Sequence, residues 1–579
     1  NPNGTSNLGV SFAYWTDPIY DPTTTTPTDT TFNMLNANGQ NASAPWVPYT
    51  RAGCNVGAVA TANMELENIA TDIPTVFGAN SPQAAEVKSN PNQATADFVG
   101  VSVHCAQDNA LCSSANNGKP DLLPDEPGGY NDFNALYGHK YVVPQINPGG
   151  PIKDLFGNVI TDPSSGDIGF PGFGGITAAQ SLSYVAAMQE HGVPVTYAYI
   201  SDAHDNHVTG NAFGPGEAGY VAQLKSYDQA FGDFFQRLEN DGINKSNTLF
   251  VFTADEGDHF VGGPPSPSNC DGVTVPCTYK QVGEVDGNLQ GLLATEQGIT
   301  TPFKVHADSA PVIYITGNPA SDSSTTRALD QALGKLTAQN VITGNTDQLT
   351  KYLADPVELN LLHMITADPA RTPSLVMFAD PNYFLFNAGA SCGTSCTSLD
   401  TGFAWNHGDV SPDVNTTWLG MVGPGVRNLG VTDDVWSDHT DTRVTMMVLL
   451  GLQDDYQHEG RALFEALDNW AVPESLRENR DVLTNLAQAF KQINAPVGAL
   501  GLATLRISTK ALESSSPGDS VYTSLEEQLT DITAQRNQIA GQMLNMLEGA
   551  EFNGQPINVG QANSLIDQAN ELLEQVDAM

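Results

Sequence analysis

Four short apolar runs limit what this chain can fold into. VPVTYAYI (193–200), NTLFVFTA (247–254), APVIYIT (310–316) and TTWLGMVGPG (416–425) each read as a strand, the first three apolar enough to be buried on both faces. Helical segments alternate with them, at 177–191, 324–338 and 440–451. A longer helix is marked by Tyr220, Leu224, Tyr227, Phe231, Phe234 and Leu238, spaced three and four apart along one face. Strand, helix, strand at this spacing predicts an α/β fold: a mostly parallel central sheet with helices on both faces.

The flanking regions differ in character. Residues 1–48 are rich in Thr, Pro and Asn and read as an irregular N-terminal segment. The α/β domain is expected over 49–470, with a Gly-, Pro- and Asp-rich loop insertion near 103–175. Beyond it, 471–579 reads as a C-terminal helical appendage, with segments at 474–494, 498–514, 523–548 and 560–577. Leu525, Leu529, Ile532, Ile539, Met543 and Met546 form one apolar stripe there. That stripe packs on the parent domain or serves assembly with another chain.

Charge excludes some partners. With 65 Asp and Glu against 23 Lys and Arg, the net charge is -42, a surface that repels duplex nucleic acid and anionic membranes. No apolar run approaches the length of a bilayer span. Six Trp in this length do not suggest a sugar-binding platform. Seven cysteines include three close pairs, Cys105/Cys112, Cys270/Cys277 and Cys392/Cys396, in loop-like segments. These read as local disulfides and place the chain in an oxidising, secreted or extracytoplasmic setting, in the periplasm or at a cell surface. Cys54 is left over.

Ligand-grade residues gather where the strands end. The first run leads into Asp202, His204, Asp205 and His207; the second into Asp255, Glu256, Asp258 and His259. His407 and Asp409 precede the fourth run, and Asp438, His439 and Asp441 open a helix. Open parallel sheets bind ligands beyond the carboxyl ends of their strands. Carboxylate oxygen with imidazole nitrogen suits Zn²⁺, Mn²⁺ or Fe better than Mg²⁺ alone. Two such ions a few Å apart would clamp the attacking and leaving oxygens of a phosphoryl transfer.

In order and spacing, four pieces resemble the alkaline phosphatase superfamily, which includes nucleotide pyrophosphatase/phosphodiesterases. They are YAYISDAHDNH, LFVFTADEGDH, WNHGDVSPDVNTTWLGMVGPGV and SDHTDTRVTMMVLLGLQDDYQHEGRAL. The resemblance covers about residues 45–470 and implies an alkaline phosphatase-like sheet. It also implies two divalent metal ions, Zn²⁺ first, with Ca²⁺ and Mn²⁺ as alternatives. By position, Asp202, His207 and His407 would hold one ion, with His204 or Asp205 able to replace a member. Asp255 would hold the other, with Glu256 where His is commoner, His259 as a substitute, and His439 in the closing segment.

The family's nucleophile sits at a helix start. In YTRAGCNVGAVATAN, Thr50 opens a stretch of small residues read as a helix, and its positive end would favour a bound phosphate. Cys54 competes with Thr50, and Arg51 would bind a substrate anion or lie on the surface. The family's first strand, ending in a metal-binding Asp, is not seen before residue 50, so an upstream segment is expected to be missing. The resemblance therefore implies a secreted metal-dependent hydrolase of phosphate esters, mono- or diesters, with a metal-activated Thr. The alternative is a catalytically impaired surface or assembly protein that binds Ca²⁺ and self-associates.

Overall fold

The structure is a computed structural model. It describes the backbone of 46–51 and 56–61, and residues 70, 73–74, 78–90, 152–160, 177–200, 203–204, 211–365, 372–453, 457–472 and 474–579. The chain divides into two compact units: 1–244 with 265–278, and 245–264 with 279–579.

In the first unit, β1 (Trp46–Arg51) pairs antiparallel with β2 (Val56–Thr61), and β2 pairs parallel with β3 (Val195–Ala198). Helix α1 (Ala178–Glu190) starts at a capping box, in which Thr177 and Gln180 satisfy each other's backbone N–H. Helix α2 (Ala218–Asn240) buries Ala230, Phe234 and Leu238. Arg237 on α2 forms a forked ion pair with Glu190 at the end of α1, at 2.6 and 2.7 Å.

The second unit holds β4 (Phe250–Thr253), β5 (His259–Phe260), β6 (Glu284–Asn288), β7 (Phe303–His306) and β8 (Val312–Ile315). Next come α3 (Ser324–Leu333), β9 (Thr350–Ala354), α4 (Pro356–Leu361), β10 (Leu375–Ala379), β11 (Tyr383–Phe386) and β12 (Thr397–Asp400). Then follow β13 (Trp405–Asn406), β14 (Leu419–Val422) and α5 (His439–Leu450). The chain ends in α6 (Arg480–Asn494), α7 (Ala499–Glu513), α8 (Ser520–Asn553) and α9 (Val559–Asp577).

These strands do not make the expected parallel sheet. A four-stranded sheet runs β9-β10-β8-β7 with every pairing antiparallel. A three-stranded sheet runs β11-β6-β12, parallel on one side and antiparallel on the other. Among the described residues β4 pairs only with β14, and β5 only with β13, both antiparallel. The four apolar runs thus fall into three separate sheets, and the α/β alkaline phosphatase-like core is contradicted. Burial gives the reason. Tyr197 on β3 is 53 % exposed, β4 buries only Phe250, and β14 buries no residue, whereas a parallel sheet must be covered on both faces. Among the strands of the second unit, all of whose residues are described, β10 is the one buried at every residue.

The core of the second unit lies instead between the antiparallel sheet and the C-terminal helices. Ile313, Leu353, Val376, Met377, Leu486, Phe490, Leu529, Met543 and Leu572 belong to one buried cluster. Helix α8 buries Leu525, Leu529, Ile532, Ile539 and Met543, and α9 buries Ala562, Leu565, Ala569, Leu572 and Val576 at heptad-like spacing. Buried cations pin these helices. Arg327 on α3 donates to Asp519, Asp330 and the carbonyls of Ala511, Leu512 and Ser514. Arg536 on α8 donates to the Leu361 carbonyl. No described helix is long and apolar enough to cross a membrane.

Candidate functional site

Strand β4 is anchored by buried Phe250 and releases the chain at Asp255 and Glu256. The turn that follows needs glycine. Gly257 N–H donates to Val414 O at 2.8 Å, and a Cβ on Gly257 would lie 2.3 Å from Asp413 O. This close approach turns Glu256 and Asp258 toward His407. The imidazole arrives from the other side, because β13 pairs with β5 and His407 is the next residue after β13.

His407 stands between two carboxylates. Its Nδ1 is 3.2 Å from Asp258 Oδ1, and its Nε2 is 3.6 Å from Glu256 Oε1. Gly408 has φ +78°, and a Cβ there would sit 2.5 Å from Asp308 Oδ2, so the Asp308 carboxylate occupies that space. The hydrogen bond to Asp258 is the main reason His407 is pushed up to about 9; Glu256, Asp258 and Asp308 add to it against the effect of burial. Burial pushes Glu256 up to about 7, helped by Asp255, Asp258 and Asp308 and opposed by His407. Burial likewise raises Asp308, and Asp409 to about 6. Asp409 Oδ1 accepts from the N–H groups of Val410 and Ser411, while its buried Oδ2 has no hydrogen-bond partner among the described residues.

The other expected site residues take different places. His259 is engaged at both nitrogens, 2.6 Å from Asp413 Oδ2 and 3.2 Å from Asn382 Oδ1, and does not join His407. His439, first residue of α5, lies with Nε2 2.7 Å from Ala254 O and so braces the end of β4. His204 is in the first unit, where its carbonyl accepts from Phe213 N–H. Asp202, Asp205, His207 and Cys54 lie outside the described residues. Thr50 and Arg51 lie in β1, opposite Gly57 and Val56. Thr50 therefore opens no helix, and the helix-dipole argument for it fails. Strand pairing of VGAVAT overrides the helical preference of its alanines.

A second acidic group was not anticipated. Glu284 and Asp286 are two apart on β6, hence on one face, and Asp400 on β12 is the cross-strand partner of Glu284. One carboxylate oxygen from each lies within 4.8 Å of the others, the only such group of metal-ligating side chains among the described residues. Burial, then mutual repulsion, pushes Glu284 up to about 8 and Asp286 to about 6. The i, i+2 acids in GEVDGN were the signal available. Asp308 was missed because the strand it follows, β7 (Phe303–His306), is not among the four apolar runs read from the sequence.

Cys270 with Cys277 and Cys392 with Cys396 stand at disulfide distance; Cys105 and Cys112 lie outside the described residues. Comparison with known proteins finds no matching family model and no matching curated protein.

Proposed function

We propose that the second unit is a divalent-cation-dependent hydrolase of phosphate esters working outside the cytoplasm, with its cation held at the end of β4. The observation that carries this is the 3.6 Å separation of Glu256 Oε1 and His407 Nε2. It is long for a charged hydrogen bond. Two donors about 2.1 Å from one tetrahedral ion would lie roughly 3.4 Å apart, so the pair has the spacing of two ligands. The donor set, one imidazole among carboxylates, suits Zn²⁺ or Mn²⁺.

Each residue then has a task. Glu256 and His407 hold the ion. Asp258 orients the ring by accepting from Nδ1–H, which leaves Nε2 as the donor atom. Asp255 and Asp308 supply further negative charge, which a cation would offset. When bound, the cation supplies Lewis acidity to a phosphoryl oxygen and to the attacking hydroxyl. Two cysteine pairs at disulfide distance support an oxidising compartment.

The test is elemental analysis of protein purified without chelator, with turnover of nitrophenyl phosphate and bis-nitrophenyl phosphate. Zn²⁺ or Mn²⁺ should fall and turnover drop about a hundredfold or more in His407→Ala and Glu256→Gln. Undiminished turnover in both variants, or none with any added cation, defeats the reading.

A further inference from the structure

The sheet β11-β6-β12 places three acids in an arrangement that is unfavourable without a ligand. Asp400 faces Glu284 directly across the β6–β12 pair, and like charges in that position repel. Asp286 joins them from the same face of β6. Glu284 is only 6 % exposed, and its carboxylate, aimed at the other two, has no hydrogen-bond or ion-pair partner among the described residues. Among the described residues Asp286 has none either, and Asp400 Oδ1 accepts only from Gly402 N–H, at 2.7 Å. A buried carboxylate left unpaired is a strong sign that a charge is missing.

Chemistry selects the ligand. One carboxylate oxygen from each acid lies within 4.8 Å of the others, close enough for the three to share one ion. An all-oxygen set with no nitrogen or sulfur favours a hard ion, and dense carboxylate ligation suits Ca²⁺, whereas Mg²⁺ keeps several of its waters.

We propose that Glu284, Asp286 and Asp400 form a separate cation site of the Ca²⁺ class, which clamps β6 to β12. The site goes beyond the hydrolase reading and does not depend on it. Its loading bears on His407 through the chain: Asp400 is followed by a loop whose Phe403 carbonyl accepts from Glu284 N–H at 2.8 Å, and that loop leads into β13 and His407. Holding Asp400 therefore holds the base of the segment that carries the imidazole.

The experiment uses the whole chain, stripped with chelator and titrated with Ca²⁺ by calorimetry and by thermal melting. One equivalent of Ca²⁺ should bind and raise Tm by about 5 °C at a hundredfold excess over Kd. His407→Ala should keep this response, which separates it from the hydrolase test. Asp286→Asn and Asp400→Asn, each checked for native circular dichroism, should lose the response and raise the Tm of the stripped protein, since one repelling charge is gone. A wild-type melt unmoved by Ca²⁺ overturns the proposal, as does a full Ca²⁺ response in either folded variant.

Discussion

Lys491 Nζ on α6 lies 2.7 Å from Asp438 Oδ2, and Asp438 is the residue that caps α5. The same ammonium is 3.2 Å from Asp441, which completes the capping box, and 2.8 Å from Thr440 Oγ1. Both Lys491 and Asp441 are almost wholly buried. The first turn of α5 is thus set by a helix 40 residues further on, and that turn aims His439 at Ala254 O. The C-terminal helices reach the candidate site by this route.

Replacing Lys491 with Met leaves Asp441 buried without its cation. The expected loss is about 3–5 kcal/mol of unfolding free energy, measured by urea denaturation. An effect below about 1 kcal/mol would show that the ammonium is dispensable and that the cap holds α5 alone.

Stability should fall as pH rises from about 5 to about 8. Burial pushes Glu358 and Glu551 each up to about 8, above the ordinary carboxylate value of the unfolded chain. The folded state then binds more protons than the unfolded state between those two values, so the stability these groups contribute at low pH is lost as pH passes through the folded value. Tm measured across this range should decline, and Glu358→Gln should flatten part of the decline. A Tm that rises steadily over the same range contradicts the account.

Gly257→Ala should damage the site without touching a ligand. Its Cβ would meet backbone oxygens of Asp413 and Val414 at 2.3 and 2.7 Å, and neither can step aside as a flexible side chain could. The expected cost is about 1–3 kcal/mol, with reduced Zn²⁺ or Mn²⁺ content because Glu256 and Asp258 no longer converge on His407. Wild-type stability and metal content together would refute the packing argument.

Arg327→Lys is not a conservative change here. The guanidinium serves Asp519 and Asp330 and three carbonyls, and it lies 3.9 Å above the ring of Tyr522. An ammonium cannot reproduce that fork. A loss of at least about 2 kcal/mol is expected from chemical denaturation, because buried acceptors are left unsatisfied.

Some of this was legible in the residues and some was not. The stripe Leu525, Leu529, Ile532, Ile539 and Met543 foretold the buried face of α8, since helical period is a local property. On α2 the same reasoning overreached: Leu224 is 44 % exposed, although Phe234 and Leu238 are buried. The apolar runs marked where strands form but not which strands they join, because pairing partners and direction are tertiary choices. Glu256 and His407 stood out through an imidazole and an acid placed near strand termini. Asp308, Glu284, Asp286 and Asp400 did not, because among 65 acidic residues a single carboxylate carries little signal until the fold gathers it.

The buried cluster shared by the β-strands of the second unit and its last four helices has a consequence for dissection of the chain. Leu486, Phe490, Leu529 and Leu572 lie in the same apolar interior as Leu353 and Met377. A fragment ending near residue 478 would therefore strip the interior of its lid and precipitate. Limited proteolysis should yield no stable fragment by cutting between those strands and the C-terminal helices.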